Sequence, residues 1–333
     1  MAGDGPGATG LHPDPGRGSL TGMADDLFAR FRGAAPADKE GSSGTRPVAV
    51  ALREAEVLAA VDRVPSLPTV VTQILAMVGK SASTAAELEA LIRQDMALAG
   101  RLLKLVNSPF YGLAQPVASI SQAVSIIGFA SLKSLVLAAS TSSLLQSDLS
   151  SYGFAERGLW KSSVANAALA RAIAQRNRTH RDEIEEYFVA AFLKDVGILV
   201  LGPLAARSGL RLRKGEPGDE DLQRRERRIL GFDHCWAGLK VAERWNLPEQ
   251  IREAIAHHHR MPADLPADRV RRLASVRLAE RIAANAGIGL AADHPFDTGI
   301  DAVLLAGAGL DQAGFQDLIA QVPRIVASAE MPV

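Results

Sequence analysis

The sequence predicts an all-α protein, and three observations lead there. Apolar residues recur at helical spacing over most of the chain, as in residues 96–107, where Leu98, Leu102, Leu105 and Val106 share a face. Strand-like alternation is nearly absent. Aromatics are only 5% of residues against 47% apolar overall, so the core is mostly Leu, Ala, Val and Ile, a mixture that favours helix packing over a β-sandwich. A length of 333 residues suits one or two domains with a large buried core.

Residues 1–45 are rich in Gly, Pro, Asp and Ser and bury too little apolar surface to offset the entropy of ordering, so a disordered tail is expected. One island, residues 23–32, carries Leu27, Phe28 and Phe31 at helical spacing. It reads as a transient helix, with a docking helix or a start at Met23 as alternatives. Residues 48–146 read as a first lobe of short helices. The first covers 51–61 and stops at Val64-Pro65-Ser66-Leu67-Pro68, because the residue before a proline is pushed out of the helical region. Further helices are expected at 70–78, at 83–92 with Ser83 as N-cap and Glu87 in the next turn, at 96–107, at 121–127, and at 131–145 beyond Gly128. Asn107 and Ser108 read as a helix end.

Residues 146–158 are polar and contain Gly and Ser, which reads as a joint. The second lobe spans 159–285, with helices at 159–175, 183–201, 222–230, 235–245, 248–258 and 270–286. Residues 286–333 supply C-terminal helices at 301–307 and 311–327 that pack on the second lobe. Leu304, Leu305, Leu318, Ile319, Val322 and Ile325 give them an apolar face that must be buried.

The formal net charge is zero, so no bulk field draws the chain to nucleic acid or anionic lipid. The single cysteine, Cys235, excludes a disulfide framework and a cysteine-based zinc cluster. No basic start followed by an apolar stretch marks a secretory signal, and the longest apolar segment, near 188–201, is broken by Lys194 and Asp195. A soluble cytoplasmic protein without membrane insertion is expected. No Walker loop, Gly-x-Ser-x-Gly elbow or Rossmann fingerprint appears.

An ordered series of motifs points to one family. The first set is Pro65-Ser66-Leu67-Pro68, Gln94-Asp95-Met96-Ala97-Leu98, residues 102–111 (LLKLVNSPFY) and residues 119–128 (SISQAVSIIG). The second is Phe192-Leu193-Lys194-Asp195-Val196-Gly197, Leu230-Gly231-Phe232-Asp233-His234, Trp245-Asn246-Leu247-Pro248 and Ile255-Ala256-His257-His258-His259. Together they resemble the HDOD domain, the HD-related output domain of bacterial signalling proteins, over residues 57–285. The resemblance implies an all-α bundle in two lobes, the second HD-like. It also implies a regulatory module, often found beside response-regulator, diguanylate cyclase or phosphodiesterase domains.

The resemblance locates the positions of an HD metal site. The first histidine falls near Ser162 and the second on Lys194. The paired aspartate is Asp195, two later histidines are His234 and His257 or His258, and the last aspartate falls near Glu280. Serine is a weak ligand, and a protonated lysine offers no lone pair. No metal or cofactor is therefore expected. The Lys194 ammonium is expected near the vacated metal position, neutralising Asp195 and Glu280. Adjacent histidines on a helix point about 100° apart, so at most two of His257, His258 and His259 face inward. A structural role at a helix end is the leading reading of that run. Asp233 reads as an N-cap, and the run Arg224-Arg225-Glu226-Arg227-Arg228 reads as a solvated helix face.

These features point to a non-enzymatic signal-transduction regulator. It would bind a signalling protein in trans, such as a diguanylate cyclase, phosphodiesterase, kinase or response regulator, and a small ligand such as a cyclic dinucleotide. A residual metal-dependent phosphohydrolase using Asp195, His234, His258 and Glu280 is the alternative. A nucleic-acid-binding regulator is a weaker one, disfavoured by the zero net charge and by the lack of aromatic residues among the basic ones.

Overall fold

The computed structural model describes residues 51–76, 84–108, 111–180, 183–212, 222–289 and 300–328. These lie in one unit, Glu40–Val333. The expected tail (1–45), with its island at 23–32, lies outside the described residues, as do Ser83 and the end of the helix expected at 70–78. Among the described residues the fold is all α-helix apart from one short 3-10 turn.

The first helices follow their caps. Helix α1 (Glu54–Arg63) ends where Val64 turns extended ahead of Pro65. Helix α2 (Thr69–Ala76) follows. Helix α3 (Ala85–Ile92) starts from Thr84, whose hydroxyl accepts from Glu87 N while Glu87 accepts from Thr84 N. The expected cap was Ser83. A capping box needs its acidic residue three positions on, which Thr84 satisfies and Ser83 does not. Helix α4 (Met96–Val106) is capped by Asp95. Its C-terminal Asn107 donates to Val117 O (2.8 Å) and accepts from Val117 N (2.6 Å), so that residue staples the following loop as well as ending the helix. Helices α5 (Ile120–Ile127) and α6 (Phe129–Leu145) are separated by Gly128, at φ +84°.

After the 3-10 turn Ser150–Tyr152, helix α7 (Gly158–Arg176) runs through the centre of the second lobe. It packs on α8 (Ile184–Leu193) and on α13 (Ala267–Asn285). The helix expected over 183–201 is broken: residues 194–197 form turns, and α9 (Ile198–Arg207) starts afresh. The stretch Ile184–Arg207 is long and apolar enough to cross a membrane by length and composition alone, but 78% of its most apolar 18-residue window is buried inside the protein. Helices α10 (Leu222–Leu230), α11 (His234–Arg244) and α12 (Glu249–His257) follow, with α12 lying against both α8 and α11. Helix α14 (Ala302–Gly307) packs on α13, and α15 (Gln312–Ser328) packs on α7. Helix α1 packs on α9 and α11, although chain order groups it with the first lobe. Two motifs make that docking: Trp245 Nε1 donates to Pro65 O (3.0 Å) and Arg244 donates to Val64 O.

The break before α9 has a steric cause. A Cβ built on Gly197 would lie 1.9 Å from His234 O and 2.5 Å from Gly238 N. The turn and α11 therefore touch backbone to backbone, which glycine permits. Gly197→Ala is expected to destabilise the protein by about 3 kcal/mol or more, because no side chain can yield to relieve the clash. Gly100→Ala, inside α4 with nothing within 4 Å of its Cβ position, is expected to stabilise, by about 0.5–1 kcal/mol. Urea unfolding of both variants checks the pair.

Candidate functional site

The close approach at Gly197 sets the start of α11 against the turn that carries Lys194 and Asp195. Lys194 is 1% exposed. Its Nζ donates to Asp195 Oδ2 (2.5 Å) and to Glu280 Oε1 (2.6 Å), the latter from α13. Burial opposes the ammonium, but Asp195 and Glu280 hold its pKa above the ordinary lysine value. Burial likewise opposes the Asp195 carboxylate, and Lys194 and His258 hold it well below the usual range.

Three imidazoles complete the pocket. His234, the first residue of α11, places its Nε2 at 3.0 Å from His259 Nε2, 3.3 Å from His258 Nε2 and 3.8 Å from Asp195 Oδ1. His258 Nε2 lies 3.4 Å from the same Asp195 oxygen. The outer nitrogens fix the rings: His234 Nδ1 meets Glu226 Oε2 at 2.6 Å, and His258 Nδ1 meets Ile255 O at 3.0 Å. Glu226 is fully buried. It also accepts from His234 N (2.9 Å) and from the Tyr152 hydroxyl (2.7 Å).

Each group shifts the titration of its neighbours. Burial disfavours a charged His234, but Glu226 raises its pKa well above the ordinary value; burial disfavours a charged His258, but Cys235 and Asp195 raise it to about 10. Burial and its cationic neighbours His258 and His234 push His259 well below the ordinary value. His234 thus faces Glu226 through Nδ1 and His259 through Nε2, while His258 faces Asp195 through Nε2 and Ile255 O through Nδ1. Burial raises the Cys235 thiol, but His258 and His234 draw it down to about 7; its Sγ lies 3.8 Å from His258 Nδ1. The pocket thus sets the basic groups Lys194, His234 and His258 against the acidic groups Asp195, Glu226 and Glu280.

Of the residues expected from sequence, Lys194, Asp195, His234, His258 and Glu280 come together here. Ser162 is buried on α7, where its Oγ accepts from Asn166 Nδ2 (3.1 Å), and no hydrogen bond among the described residues ties it to the cluster. His257 is not a member: it is the last residue of α12, half-buried, and its ring makes no hydrogen bond among the described residues. The helix stops there, so the 100° rule no longer governs, and His258 and His259 both turn inward. Glu226, Tyr152, Cys235 and His259 are additions. Glu226 sits within the run read as a solvated face, but Arg225 and Glu226 are both buried; only Arg224, Arg227 and Arg228 are exposed. Asp233 caps α11 as expected, accepting from Trp236 N at 2.8 Å.

A lysine ammonium occupies the carboxylates that a divalent metal would use here. Two groups of four, His234–Cys235–His258–His259 and Asp195–His258–His259–Glu280, each bring ligand atoms within 4.8 Å of one another. Lys194 binds both Asp195 and Glu280, the carboxylates of the second group, and a protonated amine offers no lone pair to an ion. Lys194→Met is expected to destabilise by about 3–5 kcal/mol near pH 7, since it strands two buried carboxylates. The gap from wild type is expected to narrow on acidification. Asp195, with its depressed pKa, contributes stability above the usual carboxylate range and loses it as the pH falls, whereas without the ammonium its carboxyl protonates sooner. Tyr152→Phe is expected to lose about 1–3 kcal/mol by removing a donor from buried Glu226. Urea unfolding at about pH 7 and about pH 5 measures all three effects.

Comparison with known proteins fits this geometry. A family model for the HDOD domain matches residues 64–261. An uncharacterized protein of Treponema pallidum (strain Nichols) is 26% identical over 204 residues, or 61% of this chain; the match spans only 39% of that relative. Three solved structures share the fold. An HDOD domain protein of unknown function from Geobacter sulfurreducens has a TM-score of 0.64 at 22% identity, covering 94% of this chain and 99% of its own. A candidate phosphohydrolase from Shewanella amazonensis SB2B has a TM-score of 0.59 at 20% identity, covering 83% of this chain and 98% of its own. A candidate signal transduction protein from Marinobacter aquaeolei VT8 has a TM-score of 0.64 at 20% identity, covering 83% of this chain and 65% of its own. From the turn at Val64 to the end of the histidine run, the matched residues carry most of this architecture, and the chain belongs to the HDOD domain family.

Proposed function

We propose that this chain is a non-enzymatic signalling module that acts by binding a partner. The observation that carries the reading is the charge-balanced pocket. Metal-assisted hydrolysis needs an ion with an open position to generate hydroxide near neutral pH. Here a lysine ammonium takes the carboxylates such an ion would use. The partner is a signalling protein in trans, such as a diguanylate cyclase, phosphodiesterase, kinase or response regulator, with a cyclic dinucleotide as the candidate small ligand. Two findings support a module of this kind: a signal transduction protein among the structural neighbours, and a longer relative of which this chain matches only part.

A second reading, a residual metal-dependent phosphohydrolase, is favoured by one observation. The Nε2 atoms of His234, His258 and His259 and Asp195 Oδ1 lie 3.0–3.8 Å from one another along the measured pairs. That spacing is close to the edge of a tetrahedron about a metal with bonds of about 2.0–2.1 Å. Such binding would have to displace Lys194 from Asp195.

Elemental mass spectrometry after loading with manganese, iron or zinc and dialysis separates the two. The wild-type chain is expected to retain far less than one equivalent, and Lys194→His to retain more. Stoichiometric metal in the wild type would replace the first reading with the second and direct attention to phosphodiester hydrolysis by Asp195 and His234 variants.

A further inference from the structure

We propose a binding site for a small amphiphilic anion, separate from the Lys194 pocket, in the cleft between the C-terminal ends of α1 and α6 and one side of α9. The cleft holds about 280 Å³, with apolar walls that include Ala60, Val64, Leu144 and Leu199, and with Arg63 and Arg207 among its lining residues. That volume is at the small end for ligand pockets, which run from about 300 Å³ upward. The size suits a compact ligand.

One wall is fixed before any ligand arrives. Val64 O and Pro65 O accept hydrogen bonds from Arg244 and Trp245 of the α11 end. The side chain of Arg244 also approaches Asp62 (3.8 Å), so the nearest acidic neighbour in sequence has its own cation. A preformed wall lowers the ordering cost of binding.

The arginines set the chemistry. Arg63 is the last residue of α1 and Arg207 the last of α9, and both are exposed. Neither has an ion pair or side-chain hydrogen bond among the described residues. Arginine is common at helix C-termini because the dipole favours a cation there, so neither residue alone marks a site. Two uncompensated guanidiniums lining one apolar cleft are a different matter. A guanidinium fork matches a carboxylate or phosphate, and the apolar wall would take a short hydrocarbon body. A neutral apolar molecule would use the wall and leave the arginines unused, so charge is the discriminating variable.

The test uses the full chain with labelled Leu and Val methyl groups and octanoate as the probe. Octanoate is expected to shift the methyl signals of Val64, Leu144 and Leu199 saturably, with octanol at least about ten-fold weaker. Arg63→Ala/Arg207→Ala is expected to weaken octanoate about ten-fold with an unchanged melting temperature, since both side chains are exposed and neither forms an ion pair among the described residues. Three results would each overturn the proposal: no methyl shift at millimolar octanoate, equal binding of octanol, or an arginine double variant that binds as wild type. A glutamate-containing leucine-rich peptide that displaces octanoate at far lower concentration would overturn the small-ligand assignment in favour of a protein partner.

Discussion

A buried ammonium cannot stand alone, and much of the second lobe is arranged around that requirement. Lys194 is out of water and bonded to carboxylates from its own turn and from α13. Transfer of an unpaired charge into such a site costs several kcal/mol, so the turn after α8 and the face of α13 that carries Glu280 are tied to one position. The carboxylates then set the imidazoles. Asp195 takes His258, while Glu226, reaching in from α10, takes His234 by both its ring and its backbone amide. Each charge is placed by the one beside it, and the chain ends at Tyr152, whose hydroxyl anchors Glu226 from the joint between the lobes.

The backbone supports the same point. Gly197 and Gly238 let α11 lie directly on the turn, which puts His234 beside Asp195. A helix continuing unbroken from α8 would hold a side chain in that space. The break therefore serves the site, and its apolar flanks are covered by the surrounding helices.

How much of this was legible in the sequence depends on the distance over which each feature is decided. Local rules were readable: Asp233 as a cap, Pro65 as a helix end and Gly128 as a separator all act within a few residues. Lys194, Asp195 and Glu280 were readable through motif order, which carries their spatial relation even though 85 residues separate the last two in the chain. Glu226 was not, because a glutamate among arginines looks solvated until a tertiary partner such as Tyr152 is known. His259 in place of His257 turned on where α12 stops, and helix ends are uncertain by one or two residues from pattern alone. The break at residues 194–197 was hidden by continuous hydrophobicity. Its sign was Gly197, whose cause lies across the fold in His234.

The pocket's polarity asks for a reason beyond stability. Buried ion pairs replaced together by apolar residues of similar volume often leave a protein equally or more stable. A buried lysine and two buried histidines set against three acidic side chains are therefore a poor means of merely filling a core. Their physical effect is selective: wrong packings of α8, α10, α11 and α13 would each leave a charge without its partner, so the correct arrangement is separated from its competitors by more than hydrophobic burial supplies. The same network also sets the threshold for metal. An entering ion would have to release Lys194 from Asp195 and Glu280 before gaining those ligands, so its affinity is reduced by the stability of the contacts it replaces.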